Sequence, residues 1–288
     1  MYSEGEGLLK PRLIAFDLDG TLLNTQKHIP QENKDALIAA AEEGVILVPA
    51  TGRILGGMPE ELMELGLFRY FIFSNGAEIY DLQERRRIQD ACIPTDLALR
   101  ICDYMDTLPV LYDFYRGETG YMQQEMHQQA LTLMAFEPYM VDLIRRLRVP
   151  VPDIREEIKK HPETPLEKMQ MYFRLEDMDL REKQMIEVPR RFPDVMASSS
   201  VKNNLEINSV KAGKGQALLA ICRLLEIPEE ASMAFGDGRN DAELLKMAGC
   251  GVAMANAHPS VLEVADRVTE NNDKAGVGKE IFRCLKEE

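Results

Sequence analysis

Carboxylate side chains occur in two short segments that lie far apart along the chain. Asp17 and Asp19 belong to the segment DLDGT, and Asp237 and Asp241 belong to the segment GDGRND. Close carboxylates repel each other unless a cation or a shared proton offsets the repulsion, and Mg²⁺ prefers hard oxygen ligands of this kind. The first segment therefore indicates a metal ligand and nucleophile at Asp17 and a proton carrier at Asp19. The second indicates further Mg²⁺ ligands.

Both segments also have a purely structural interpretation. DLDGT could form an Asx turn with Gly20 at positive φ, and GDGRND could be a glycine-rich turn whose aspartate caps the next helix. The apolar run before Asp17 and the residues TLL after Gly20 favour the chemical interpretation of the first segment.

Two other segments carry groups suited to an anion. The Thr51 hydroxyl and the backbone N–H groups around Gly52 could cradle a phosphate at a strand-to-helix turn, or Thr51 could simply cap a helix. Lys214 opens a predicted helix, where the macrodipole disfavours a cation, so it is either a phosphoryl contact or a solvated surface lysine. Combined with the four aspartates and Asn240, these groups match phosphoryl transfer.

Each of these segments lies beside a predicted strand or helix. Short apolar runs alternate with helical patterns at both ends of the chain, which predicts a parallel sheet buried on both faces. Open α/β sheets bind ligands at the carboxyl ends of their strands. The predicted strands are 13–16, 45–48, 71–73, 232–235 and 252–254, and the predicted helices are 31–43, 59–65, 214–226, 240–248 and 258–265.

The middle of the chain follows a different pattern. The strand candidates 110–115 and 168–174 alternate polar and apolar residues, which suits an antiparallel sheet with one open face. Helices are predicted at 95–106, 125–147 and 178–191. We therefore expect an α/β, Rossmann-like parallel-sheet core of residues 1–84 and 204–288, with an inserted α+β domain of residues 85–203.

Composition excludes several classes of protein. The 288 residues are 45% hydrophobic and carry a net charge of −14, so nucleic acid is an unfavourable partner. No apolar run is long enough for a membrane span, and the first residues lack the pattern of a secretory signal. The five scattered cysteines are typical of reduced thiols in a cytoplasmic protein.

Taken together, these segments resemble the haloacid dehalogenase superfamily, and more narrowly its Cof-type phosphatases with a large inserted cap. The resemblance covers residues 12–80 and 205–288, and the matching segments follow the order of the family. They are LIAFDLDGTLL (13–23), ATGR (50–53), SNGA (74–77), LEI (205–207), GKGQAL (213–218), AFGDGRNDAELL (234–245), VAMANAHPSVLEVADRVT (252–269) and AGVGK (275–279).

The resemblance implies roles for the acidic residues. Asp17 resembles the nucleophile that becomes phosphoaspartate and also binds Mg²⁺. Asp19 resembles the general acid and base, and its backbone carbonyl resembles a metal ligand. Asp237 resembles the second carboxylate ligand, and Asp241 the nearby acid that holds a metal-bound water or the lysine.

The resemblance also implies roles for the phosphate-binding residues. Thr51 and Gly52 resemble the pair that binds the phosphate, and Lys214 resembles the lysine that stabilises its charge. Asn240 resembles a phosphoryl contact. Two residues, Arg53 and Asn75, occupy positions that line the pocket in the family.

The implied activity is Mg²⁺-dependent hydrolysis of small phosphorylated metabolites, commonly sugar phosphates, with the inserted domain as a mobile lid. Two alternatives share the same core residues: a phosphomutase or phosphotransferase, and a non-catalytic sensor of a phosphorylated ligand. The residues of the core do not distinguish a second hydroxyl from water as the phosphoryl acceptor.

Overall fold

The computed structural model describes residues 10–132, 138–199 and 202–286. The expected lack of a secretory signal concerns mainly residues 1–9, which lie outside the described residues. The chain divides into two compact units. The first contains the chain through Gly52, Met58–Gln89 and the chain from Gly213 onward, and the second contains Arg53–Gly57 and Asp90–Ala212.

The described residues form fourteen strands and eleven α-helices. The strands are β1 (Leu13–Phe16), β2 (Ile46–Pro49), β3 (Tyr70–Phe73), β4 (Glu78–Asp81), β5 (Arg86–Asp90), β6 (Leu111–Arg116), β7 (Thr119–Gln123), β8 (Arg148–Val151), β9 (Lys168–Tyr172), β10 (Val195–Ser198), β11 (Asn204–Ser209), β12 (Ser232–Gly236), β13 (Cys250–Met254) and β14 (Arg267–Thr269). The helices are α1 (Gln31–Glu42), α2 (Glu60–Glu64), α3 (Thr95–Met105), α4 (Gln124–Thr132), α5 (Pro138–Leu147), α6 (Ile154–Lys159), α7 (Met178–Arg191), α8 (Lys214–Leu224), α9 (Ala242–Met247), α10 (Pro259–Leu262) and α11 (Gly276–Lys286).

A parallel sheet forms the centre of the first unit. Its order is β14-β13-β12-β1-β2, and every neighbouring pair is parallel. All four residues of β1 are buried, because the strand is covered on both faces. Leu13 belongs to the same buried hydrophobic cluster as Leu218 of α8 and Leu244 of α9. The predicted α/β core is confirmed.

The third predicted strand of this sheet has a different pairing. β3 joins the antiparallel sheet β3-β4-β5, and a single parallel bridge, Ala50↔Ile72, connects it to the chain after β2. The cause lies at Ser74, Asn75 and Gly76, which all have positive φ and turn the chain directly back into β4.

A six-stranded sheet forms the centre of the second unit, in the order β10-β11-β9-β6-β7-β8. Its strands are antiparallel except for the parallel pair β7–β8, so the predicted α+β domain is confirmed. The predicted helix 125–147 is two helices, α4 and α5, and its residues 133–137 lie outside the described part of the chain.

The expectation of an open polar face on this sheet is wrong. Asp113, Lys168 and Glu206 are all buried. Arg148 Nε lies 2.8 Å from Asp113 Oδ2, and Lys168 Nζ lies 3.0 Å from Glu206 Oε1. A polar residue can be buried when its charge is paired and hydrogen-bonded, so alternation of polar and apolar residues did not imply exposure here.

The two units divide at different positions from those expected. Residues 204–212 were expected in the core, but β11 pairs with β9 in the six-stranded sheet, with Leu205 opposite Met171. They were assigned to the core because LEI (205–207) is one of the segments that carry the family resemblance. At the other boundary, β5 extends the first unit to Gln89.

No helix among the described residues has the length and apolar character required to span a bilayer.

The buried pair in the second unit predicts a large stability effect. Asp113 Oδ2 accepts hydrogen bonds from Arg148 Nε and from the Tyr172 hydroxyl, both at 2.8 Å. Asp113→Ala leaves a buried guanidinium unpaired, which should cost about 3–5 kcal/mol of unfolding free energy and lower the thermal midpoint measured by circular dichroism.

Asp142→Ala is the matched control, because Asp142 pairs with Arg146 at 2.7 Å on the surface. Asp142→Ala should lower the unfolding free energy by no more than about 1 kcal/mol. Equal losses in the two variants would contradict the importance of the buried pair.

Candidate active site

The order of the parallel sheet places the functional segments beside one another. Phe16, the last residue of β1, lies opposite Phe235 of β12 on one side and Pro49 of β2 on the other. Asp17 follows β1, and its backbone N–H donates to the Phe235 carbonyl at 3.0 Å. The chain segments after β1, β2 and β12 therefore leave the sheet at the same edge.

Three carboxylates converge at this edge. Asp17, Asp237 and Asp241 each offer an oxygen, and these oxygens all lie within 4.8 Å of one another. Asp241 Oδ2 accepts backbone hydrogen bonds from Asp237 at 3.0 Å and Gly238 at 2.8 Å. Thr21 Oγ1 donates to Asp237 Oδ1 at 2.6 Å. Both aspartate side chains of the GDGRND segment are therefore held in place.

A buried lysine connects two of these carboxylates. Lys214 Nζ lies 2.7 Å from Asp17 Oδ1 and 2.6 Å from Asp241 Oδ1, and the lysine is only 1% exposed. The two anions compensate for the unfavourable position of a cation at the start of α8. Lys211, three residues before Lys214, is exposed.

Electrostatics at this site favour an additional cation. Burial raises the pKa of Asp17 well above its ordinary value; Lys214 opposes this effect, and the charges of Asp241 and Asp237 add to it. Burial also raises the pKa of Asp237 to about 7, with the charge of Asp241 adding to the effect. Three carboxylates against one ammonium leave two negative charges, so this oxygen donor set fits a divalent metal ion.

Gly20 permits the close approach of the two acidic segments. Its φ is +87°, and a Cβ at this position would lie 2.4 Å from Asp237 Oδ2. Any side chain would therefore displace Asp237 or the loop. The Gly20 carbonyl accepts a hydrogen bond from Asn256 Nδ2 at 2.8 Å, which ties the loop to the segment after β13.

The predicted phosphate-binding residues form a second group. Thr51 donates its N–H to the Ile72 carbonyl at 2.8 Å, and its own carbonyl accepts from the Asn75 N–H at 3.0 Å. Asn240 Nδ2 donates to Asn75 Oδ1 at 3.1 Å. A Cβ on Gly52 would lie 2.8 Å from the same oxygen. The structure thus brings Thr51, Gly52, Asn75 and Asn240 together. Asn240 directly precedes Asp241 in the sequence.

Two other predicted residues contact groups outside the three carboxylates. Asp19 lies in the same loop as Asp17, but its carboxylate pairs with Lys27, Nζ to Oδ1 at 2.7 Å. Arg53 belongs to the second unit, where its guanidinium donates to the Gly57 carbonyl at 2.8 Å.

Sequence reasoning missed Thr21, Lys27 and Asn256. Thr21 lies within the DLDGT motif, so its contact with Asp237 could have been inferred once the two segments were expected to meet. Asn256 lies in the MANA segment, which we used only for the family resemblance. No pattern in the sequence pointed to Lys27, because its contact depends on the conformation of one turn.

The raised pKa of Asp237 predicts a pH-dependent effect of metal. The folded, metal-free protein keeps this proton up to about pH 7, whereas the ordinary pKa is 3.8. The contribution of Asp237 to stability therefore falls as pH rises from about 4 to about 7, because the folded state binds the extra proton. A divalent cation should raise the melting temperature more at about pH 8 than at about pH 5, where protons compete with it.

Scanning calorimetry with and without the cation measures this difference. Asp237→Asn is the control, since it should remove most of the cation-dependent shift. If the cation raised the melting temperature of the unmodified protein equally at both pH values, the interpretation would be contradicted.

Comparison with known proteins agrees with this geometry. A family profile described as haloacid dehalogenase-like hydrolase matches residues 14–281. The chain is 31% identical over 287 residues to the phosphatase YwpJ of Bacillus subtilis (strain 168), covering 92% of this chain and 97% of that protein.

Two further similarities extend over nearly the whole chain. A 5-amino-6-(5-phospho-D-ribitylamino)uracil phosphatase, YcsE of Bacillus subtilis (strain 168), is 31% identical over 274 residues, covering 94% of each chain. The solved structure of a haloacid dehalogenase-like hydrolase from B. subtilis has a TM-score of 0.80 at 29% identity, covering 94% of this chain and 99% of that one.

Proposed function

We propose a reaction for this chain from one premise: it belongs to the haloacid dehalogenase-like hydrolases and is a phosphatase. The proposed reaction is Mg²⁺-dependent hydrolysis of small phosphate monoesters, such as sugar phosphates, with Asp17 as the nucleophile. The convergence of Asp17, Asp237 and Asp241 around Lys214 supports it. A cytoplasmic location is part of the proposal, and the five scattered cysteines are consistent with it.

The carboxylates of Asp17, Asp237 and Asp241 and the Asp19 carbonyl are the groups that would hold Mg²⁺. When bound, the ion would neutralise phosphoryl oxygens and the charge that the three acids leave uncompensated. Because burial raises the pKa of Asp17, this side chain needs nearby cations to remain an ionised nucleophile. The proposed enzyme should therefore require a divalent metal for turnover.

The remaining groups bind and orient the phosphate. The Thr51 hydroxyl, the Gly52 N–H and the Asn240 amide are donors suited to phosphoryl oxygens. Asn75 holds Asn240 through a hydrogen bond of 3.1 Å. Lys214 adds a positive charge, and its contact of 2.7 Å with Asp17 Oδ1 restricts rotation of the nucleophile.

The chemistry is proposed to take place in two steps at Asp17. A carboxylate oxygen attacks phosphorus, the bond from phosphorus to the alcohol oxygen breaks, and Asp19 gives its proton to the departing oxygen. Water then gives a proton to Asp19 and attacks the aspartyl phosphate, releasing inorganic phosphate and regenerating both carboxyl groups. One residue serves both steps, because the first leaves Asp19 deprotonated.

One relative and the net charge of the chain support the proposed substrate class. The name of YcsE describes a phosphate on a ribityl chain, which supports a phosphorylated polyhydroxylated carbon chain as the substrate here. The net charge of −14 opposes a nucleic-acid partner.

Asp17→Asn tests the nucleophile. Removing a residue that forms a covalent bond to substrate should lower kcat for phosphate release by about 10⁴-fold or more, with Mg²⁺ present and an unchanged circular dichroism spectrum. The assay measures free phosphate from a panel of sugar phosphates and from p-nitrophenyl phosphate.

Asp35→Asn is the control, because Asp35 is exposed on α1, and it should retain full activity. Mg²⁺-dependent release by the Asp17 variant would reject the assignment. Conversion of a sugar phosphate into an isomer without free phosphate would instead identify a phosphomutase. Binding without any turnover would identify a sensor.

A further inference from the structure

Lys27 contacts Asp19, and this contact has no part in the two chemical steps proposed above. Its Nζ lies 2.7 Å from Asp19 Oδ1, and each side chain is 38% exposed. Lys214 holds Asp17 in a similar way, at 2.7 Å. Each of the two carboxylates that the proposed reaction employs chemically is therefore paired with a lysine.

The backbone at Lys27 is held in an uncommon conformation. Its φ is +65°, in the left-handed region that favours glycine or asparagine. Asn24 closes the turn: its backbone N–H donates to the His28 carbonyl at 2.9 Å, and its carbonyl accepts from the Lys27 N–H at 2.9 Å. Asn24 Oδ1 also accepts from the N–H groups of Gln26 and His28.

The ion pair between Lys27 and Asp19 adds little to the stability of the fold, because both side chains are partly exposed. A lysine at positive φ is strained relative to glycine. Strained residues of this kind persist where the surrounding structure fixes them, commonly at functional sites. The turn therefore directs the Lys27 ammonium toward one particular carboxylate.

We propose that Lys27 is a positioning residue, which holds the Asp19 carboxyl group in the orientation required for proton exchange with the leaving oxygen and with water. This inference rests on the proposed function, in which Asp19 is the acid and base. Without the ammonium, the partly exposed Asp19 side chain loses a contact that restricts its rotation. General acid–base catalysis requires the proton donor within hydrogen-bond reach of the reacting oxygen, so rotation should slow proton transfer.

The dependence on the leaving group separates this role from a general structural one. An alcohol must be protonated as it leaves, whereas p-nitrophenolate leaves readily without a proton. Lys27→Met should lower kcat/KM about tenfold for a sugar phosphate, a part of the 10²–10⁴-fold that acid–base catalysis supplies. For p-nitrophenyl phosphate the loss should stay below about threefold.

Three variants control for charge and for the turn. Lys27→Arg keeps a cation and should restore most of the activity toward the sugar phosphate. Lys27→Gly relieves the backbone strain but removes the ammonium, so it should lose as much activity toward the sugar phosphate as Lys27→Met. Lys10→Met removes a lysine from another exposed ion pair, with Glu43 at 2.8 Å, and should match the unmodified protein.

A double-mutant comparison tests whether Lys27 acts through Asp19. In an Asp19→Asn background, Lys27→Met should cause no further loss, because the group that it positions is already absent. The inference would be overturned if Lys27→Met lowered kcat/KM equally for both substrates. It would also be overturned if Lys27→Met caused the same fold-loss with and without the Asp19 carboxylate. Unchanged or increased activity of Lys27→Met toward the sugar phosphate would overturn it as well.

The two proposals fail in distinguishable ways. If the unmodified protein releases phosphate and depends on Asp17 and Asp19, but not on Lys27, only the positioning role is wrong. If Asp17→Asn and Asp19→Asn keep full activity, the proposed reaction itself is wrong.

Discussion

The ammonium of Lys214, buried between Asp17 and Asp241, is the interaction on which the site depends. A buried charge is tolerated only when it is paired, so these three residues need one another. They come from the segment after β1, the first residue of α8 and the segment after β12, and only the folded sheet brings them together. The same ion pairs that stabilise the edge of the sheet therefore fix the orientation of the proposed nucleophile.

The site is one cation short of neutrality. Lys214 balances one of three carboxylates, and burial raises the pKa of both Asp17 and Asp237. A phosphate ester would bring further negative charge to the same place. The cost of assembling these anions in a poorly solvated site is the physical reason for proposing a divalent metal, and it explains why the acids are held by so many fixed donors. Thr21 and the N–H groups of Asp237 and Gly238 are examples.

The sequence predicted those parts of the fold and the candidate site that depend on local pattern. The apolar run at Leu13–Phe16 indicated a buried parallel strand, and the acidic segments after it and after Phe235 were expected at one edge of the sheet; the structure has both. Lys214 was expected to have a chemical role because a cation at a helix start is unfavourable, and the structure buries it between Asp17 and Asp241. Its chemical role, like those of Asp17 and Asp19, stays a prediction.

Other features depend on pairing between distant segments. β11 belongs to the six-stranded sheet because of its register with β9, which no local pattern encodes. The polar residues of that sheet are buried because Arg148 meets Asp113 and Lys168 meets Glu206, and alternation alone indicated an exposed face. Lys27 reaches Asp19 only because Asn24 closes the intervening turn.

The most direct measurement of the central idea is the position of a bound divalent ion. A crystal structure with Mn²⁺ in place of Mg²⁺ would show it by anomalous scattering. The account predicts one strong peak coordinated by carboxylate oxygens of Asp17 and Asp237, with Lys214 still paired to Asp17. Saturating Mn²⁺ without a peak between these two aspartates, or with the ion bound elsewhere in the first unit, would contradict it.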